Sequence, residues 1–251
     1  MCEWGLNWRS GSNLPPDYRQ SKALVLNPQP IHPIKPGLSL QVEQIRIDFV
    51  EFDIAPPIVG ACTNESMTIT GADAVTNKIL PDKLCGVLTG QHLYLSVKDL
   101  GTDFLTIEIT LSSNGTQEWE MLITQIEGDA TADLAPRGCL QYFKEDAATF
   151  SSFNYDNGNG MLINDNQYSV CIMDNDAYCD VALTAGGFDM TETSGTCMDK
   201  IAFGTNVYCG STFGTSGMAT CRKPGSLIRT HYFSCRELHW ILPDSFLLRW
   251  G

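Results

Sequence analysis

The chain has no run of about 18 apolar residues, the length a helix needs to cross a bilayer, so it offers no helical membrane span. It has no Cys-x-x-Cys pair, which leaves zinc ribbons and thioredoxin-like redox motifs without support. Histidine is scarce: His32, His92, His231 and His239 are the whole set, and none lies in a His-Glu-x-x-His motif or beside a recognisable Ser or Cys nucleophile. Basic residues are outnumbered 16 to 29 by acidic ones, and a net charge of −13 argues against nucleic acid or an anionic lipid surface as partner. The deficit is concentrated in the body of the chain. Residues 1–37 carry +2 and residues 222–251 carry +3, which leaves −18 on residues 38–221.

Helical periodicity is also missing: no window of about 12 residues carries an apolar stripe at 3.6-residue spacing. Alternation takes its place. Ile45, Ile47 and Phe49 point one way while Arg46 and Asp48 point the other, as a half-buried strand requires. The same pattern returns in Leu93-Leu95-Val97, in Leu105-Ile107-Ile109-Leu111 and in Trp119-Met121-Ile123, with turn-formers such as Ser113-Asn114-Gly115 between them. Short alternating strands of this kind predict an all-β protein with antiparallel sheets, since parallel strands would read as continuous apolar runs. Residues 1–37, with Pro15, Pro16, Pro28, Pro30, Pro33 and Pro36, read as an irregular or extended N-terminal arm.

Ten cysteines are many for 251 residues, and disulfides are the simplest account of them. Disulfides imply an oxidising compartment, hence an extracellular, secreted protein. The sequons at Asn64 and Asn114 are candidate glycosylation sites consistent with that route. Met1 to Asn13 lacks the apolar core of a signal peptide, so the start is expected to be incomplete or misassigned.

An internal repeat organises the body. Glu43 to Ile54 aligns without a gap on Cys179 to Met190, placing Ile45 on Val181, Ile47 on Leu183, Phe52 on Phe188 and Asp53 on Asp189. Cys62 and Glu65 follow the first copy as Cys197 and Asp199 follow the second, and the copies close in Cys85-Gly86 and Cys209-Gly210. Two copies of one unit imply two domains, with a boundary in residues 128–138.

A cysteine followed by an acidic residue and an alternating strand, then a second Cys-Gly, resembles the central signature of CUB domains. The strings Gln44-Ile45-Arg46-Ile47-Asp48-Phe49, Gly90-Gln91-His92-Leu93-Tyr94, Ala135-Pro136-Arg137-Gly138-Cys139-Leu140-Gln141-Tyr142-Phe143, Ser152-Phe153-Asn154-Tyr155 and Tyr168-Ser169-Val170-Cys171-Ile172 are similar to those of tandem CUB-like secreted proteins of arthropods, over about residues 38–212. The resemblance implies two CUB-like antiparallel β-sandwich domains of jelly-roll type, residues 38–128 and 139–220, the opening strand of the first and the closing strands of the second being incomplete. It leaves residues 221–251 as an atypical basic tail. It implies disulfides Cys62 to Cys85, Cys139 to Cys171 and Cys197 to Cys209, each worth roughly 3 kcal/mol. Cys2, Cys179, Cys221 and Cys235 are left without assigned mates.

Many CUB domains hold calcium through acidic groups, one of them following the third cysteine, and the resemblance puts Asp199 at that position with Glu65 near it in the first unit. The supporting acids are not evident: after Ile109 stand Ser112, Ser113 and Asn114. A solvated acid at a strand start is the plainer account. No cofactor is otherwise expected. Asp174-Asn175-Asp176 resembles the opening of an EF-hand, but Cys179 and Ala185 stand where Gly and Glu are needed, so it reads as a turn. Trp119, Phe143, Phe150, Phe153 and Tyr155 are candidates for a sugar or partner face, with core packing the better account of Trp119. The resulting expectation is an extracellular, non-catalytic module that binds a protein or carbohydrate partner. An accessory region of a secreted protease and an unrecognised secreted hydrolase are the alternatives.

Overall fold

In the computed structural model nearly all regular structure is β. The structure describes residues 42–97, 105–112, 117–173, 181–203 and 206–213 in full, and the backbone of residues 2–9, 21–26, 180, 218–222, 237–241 and 246–250. The first part of the chain forms β1 (Cys2–Arg9), β2 (Ser21–Leu26), β3 (Val42–Asp53), β4 (Ser66–Thr70), β5 (His92–Ser96), β6 (Leu105–Thr110) and β7 (Glu118–Glu127). These make two antiparallel sheets, ordered β1-β7-β3-β5 and β2-β6-β4.

The alternation explains how the sheets meet. Ile45, Ile47 and Phe49 of β3, Leu93 and Leu95 of β5 and Met121 and Ile123 of β7 share one buried cluster with Met67 and Ile69 of β4 and Leu105, Ile107 and Ile109 of β6. Arg46 and Asp48 stay on the outer face. The β3–β7 register slips between Phe49 and Glu51. This changes the phase of β3, so that Phe52 is buried like Phe49 and their rings meet edge to face at 5.2 Å. A one-turn helix, Thr76–Ile79, interrupts the β pattern; the Asp73 carboxylate accepts the Thr76 N–H at 2.7 Å at its start.

The rest of the chain forms β8 (Gln141–Phe143), β9 (Ala148–Ser151), β10 (Ser169–Ile172), β11 (Asp180–Phe188), β12 (Glu192–Thr193), β13 (Thr196–Cys197), β14 (Lys200–Phe203), β15 (Asn206–Tyr208), β16 (Met218–Arg222), β17 (Glu237–Ile241) and β18 (Phe246–Trp250). Their sheets are β15-β14-β17-β10-β8 and β16-β11-β18-β9, with β12-β13 a separate small hairpin. The β8–β10 pair is parallel; the other pairs are antiparallel. Leu140, Phe150, Phe153, Val170, Leu183, Ile201, Phe203 and Phe213 belong to the same buried cluster as the first sheets.

Strands also lie in both end segments. The arm read as irregular or extended contains β1, paired along its whole length with β7, and β2, paired with β6. Its prolines lie between and after these strands, so they bound the pairing without blocking it. The segment expected to be an atypical tail contains β17 and β18, each with a partner on both sides. Phe246-Leu247-Leu248 is a continuous apolar run, which a search for alternation passes over.

Residues 128–140 are fastened to the first sheet. The Gln44 amide donates to Ala135 O at 2.9 Å and accepts the Ala135 N–H at 2.8 Å. Arg137 meets Asp73 at 3.0 Å, and the Tyr94 N–H donates to Leu140 O at 2.8 Å, so the outer edge of β5 is covered. Tyr94, Ile126, Ala135, Cys139, Tyr142 and Cys171 form a second small buried cluster at this join.

Candidate interaction surface

β3 ends at Asp53, and Pro56-Pro57 stiffens the chain beyond it. Ile58 to Ala61 then closes as a two-residue hairpin: the Ile58 N–H donates to Ala61 O at 2.9 Å and the Ala61 N–H to Ile58 O at 3.0 Å. Val59 and Gly60, its central residues, have φ of +51° and +76°, the left-handed pair that a type I′ turn requires. Glycine adopts this conformation freely; for valine the branched Cβ crowds the backbone. The other positive-φ non-glycine residues described are Asn154, Asp156, Asn157, Asp165 and Ser194, small polar types. Val59 is thus the one β-branched case among the described residues, and its side chain is 80% exposed. Ile58 and Met161 beside this turn are 53% and 50% exposed.

Two asparagines hold the tip from beneath. The Asn164 N–H donates to Gly60 O at 2.8 Å and its side-chain amide to Val59 O at 3.0 Å, while the Gly60 N–H points at Met161 Sδ at 3.1 Å. Asn154 does the same one layer deeper: its carbonyl accepts the Val87 N–H at 3.1 Å and its amide donates to Met161 O at 2.7 Å. Gly86, with φ +76°, lies against Asn154, and a Cβ there would overlap the amide. Gly86→Ala is therefore expected to cost about 2 kcal/mol, through the left-handed backbone and displacement of the clamp. Urea denaturation would reveal a lower midpoint with the slope unchanged; an unaltered midpoint would mean that Asn154 is not held in place.

The shoulder of the hairpin is acidic. Burial raises the Asp53 carboxyl above its ordinary value, and neighbouring Asp156, Glu118 and Glu65 raise it further. Glu65 itself is buried and its carboxylate is surrounded by donors. One oxygen accepts the Ala55 N–H at 2.7 Å; the other accepts the Ser112 N–H at 2.9 Å, the Ser112 hydroxyl at 2.6 Å and the Gln117 amide at 2.6 Å. Calcium needs several converging oxygen ligands, whereas this carboxylate is in contact with N–H and O–H donors. Asp199 is also buried, with its N–H 3.2 Å from Thr191 O. Among the described residues no three His, Cys, Asp or Glu side chains come together as a metal site would need. Among the described residues Glu65 is thus engaged in hydrogen bonds and stands in no cluster of metal-ligating side chains.

On the outer face of the first sheet Arg46 forms a second candidate centre. Its guanidinium donates to Asp48 at 2.6–3.0 Å and to the Tyr94 hydroxyl at 2.8 Å. It borders two shallow grooves of about 180 and 200 Å³, one with His92, Tyr142 and Phe143 and the other with Tyr94, Leu122 and Thr124. Lys144 lies on both grooves and is paired with Asp133 at 2.8 Å. His92 is buried beneath them, its ring edge-on to Phe143 at 4.7 Å and Tyr94 at 5.6 Å. Its Nε2 stands 3.0 Å from Tyr142 O and 3.1 Å from Tyr142 N, so either neutral tautomer gains a backbone bond. Burial and then the charge of Arg46 push His92 down to about 4. The histidine is a structural link between β5 and β8.

The structure pairs Cys62 with Cys85, Cys139 with Cys171 and Cys197 with Cys209. Cys179 and Cys235 lie outside the described residues, and for Cys2 and Cys221 only backbone is described. Asn64 is exposed; Asn114 lies outside the described residues, as do Asp174 to Asp176. Trp119, Phe150 and Phe153 are buried, and Phe153 packs on Tyr168 with ring centres 4.7 Å apart, so these aromatics build the core and offer no partner face. The apolar tip at Val59 was not legible in the sequence. Its one signal, a glycine after Pro-Pro-Ile-Val, lacks the Asn-Gly or Asp-Gly pair that usually announces such a turn.

Both disulfides of the second half fall within one stretch that matches a known family model. Residues 136–223 match the animal CUB domain. The matched CUB stretch begins at the join to the first sheet and runs through β16, and it includes Cys139, Cys171, Cys197 and Cys209. Among solved structures, the CUB1-EGF-CUB2 domain of human MASP-1/3 aligns at a TM-score of 0.32 with 10% identity, covering 98% of this chain and 98% of that one. The rat MASP-1 CUB1-EGF-CUB2 domains align at 0.31 with 10% identity, covering 98% of this chain and 96% of theirs. No curated protein matches the chain.

Proposed function

We propose that the chain is an extracellular, non-catalytic binding protein built from two CUB-like units, residues 38–128 and 139–220, that engages a protein or carbohydrate partner. The observation that carries this reading is the CUB match over residues 136–223, whose cysteines are joined as two disulfides in the folded chain. The first unit supports it by analogy. β3 and β11 each lie between two antiparallel neighbours, and each leads into a loop closed by a disulfide, Cys62–Cys85 or Cys197–Cys209. Loop-closing bridges suit an oxidising exterior, as does an exposed asparagine in the Asn64 sequon. Binding proteins of this kind present loops from a rigid sandwich, and the stapled, clamped hairpin at Ile58 to Ala61 is such a loop.

The test is to produce the chain through a eukaryotic secretory pathway and pass it over arrays of purified extracellular proteins and of glycans, with a panel of esterase, glycosidase and peptidase substrates run in parallel. Saturable binding to a defined class with no turnover is the expected result. Turnover that copurifies with the chain, or the lack of any saturable binding, would overturn the reading.

A further inference from the structure

Accepting the chain as a binding module, we propose that the tip formed by Ile58, Val59 and Met161 is its docking point for an extracellular protein that offers an apolar pocket bordered by lysine or arginine. Three observations converge on it. First, Val59 occupies a left-handed position where asparagine or glycine would fold with less strain, and it presents its side chain to solvent, 80% exposed. No folded-state contact of the core accounts for a valine there. Second, Ile58 and Met161 extend the same apolar point, and the backbone beneath it is fixed by Asn164 and Asn154. A rigid apolar projection loses little freedom on docking, which is the property of a binding anchor. Third, the surroundings set the sign of the partner. Asp53 and Asp156 are exposed acids close enough for the charge of Asp156 to act on Asp53, and Asp165 is exposed next to Asn164. A basic rim on the partner would relieve that repulsion and speed encounter. The same carboxylates set the tip against an anionic membrane, and against a second copy of itself.

The decisive comparison uses the array proteins that bind the wild-type chain, with Val59→Asn, Ile58→Ser and Asp156→Asn measured against them by surface plasmon resonance. Val59→Asn suits the turn better, so the melting temperature is expected to rise by about 2 °C. Its affinity is expected to fall about tenfold. A rise in stability with a loss of binding separates docking from a merely structural role, which would move both in one direction. Asp156→Asn is expected to slow association and weaken its dependence on salt. If an array protein binds the wild type and Val59→Asn equally well, the tip is not the docking point, although the binding-module reading stands. If no array protein binds the wild type, both fall. Vesicles of phosphatidylcholine and phosphatidylserine serve as the other arm: uptake by the wild type that Val59→Asn abolishes would overturn the protein partner in favour of a membrane.

Discussion

Replacing Glu65 by alanine is expected to lower the stability of the chain by about 4 kcal/mol, seen as a fall of about 10 °C in melting temperature. The loss is large because Glu65 stands at a junction of three separate segments. Its carboxylate accepts the Ala55 N–H from the exit of β3, the Ser112 N–H and hydroxyl from the end of β6, and the Gln117 amide that precedes β7. Alanine would leave these donors facing a dry void, and an unmet buried donor costs far more than a hydrogen bond gains. Glu65→Gln keeps one acceptor but turns an amide N–H toward its donors, so about half of the loss is expected to remain. Differential scanning fluorimetry of the wild type, with and without EDTA, completes the test. If EDTA lowers the wild-type melting temperature as far as the alanine substitution does, the carboxylate is serving a metal and the hydrogen-bond account fails.

Acidification is expected to remove about 3 kcal/mol of stability between pH 6.5 and pH 4, and His92 is the cause. An unfolded chain takes up the histidine proton near the ordinary value of 6.5, whereas the folded chain does so only near 4. Between the two the unfolded state holds more protons, so stability is full above 6.5 and falls as pH drops. The physical origin is burial against Phe143 and Tyr94, followed by the positive charge of Arg46; Asp48 and Glu145 oppose it only in part. His92→Gln retains a partner for the Tyr142 backbone and has no proton to gain. Urea midpoints for both proteins across this range isolate the effect, because every other titrating group is common to them. Parallel lines for wild type and His92→Gln would exclude a buried neutral imidazole as the source.

The packing of the first two sheets was legible because Ile45, Ile47 and Phe49, and their counterparts on β5, β6 and β7, alternate with polar neighbours, and period-two burial is a local property of sequence. The same local rule says less at the ends. β2 is bounded by prolines, and β18 reads as Phe-Leu-Leu without alternation, so neither announced itself. Long-range polar contacts were out of reach altogether. Nothing in Gln44 or Ala135 signals that they meet across 91 residues, and nothing in Asn164 signals the Val59 carbonyl. The candidate tip was hidden for a related reason: exposed apolar residues in strained turns violate the expectations by which turns are found. The acidic residues after Cys62 and Cys197 drew attention through a family resemblance. What Glu65 accepts depends on Ser112 and Gln117, about 50 residues away and brought close only by the sheet.

β17 and β18 occupy interior places in their sheets, and their partners lie far back in the chain: β18 joins β9 through Leu247 and Ser151, and β17 joins β10 through His239 and Ser169. During synthesis β9 and β10 must therefore wait, with backbone groups open, until about 70 to 100 further residues have emerged. Such a wait exposes unpaired edges to any neighbouring nascent chain. Production yield should accordingly respond to how slowly and how dilutely the polypeptide is delivered, more than to the strength of the finished fold.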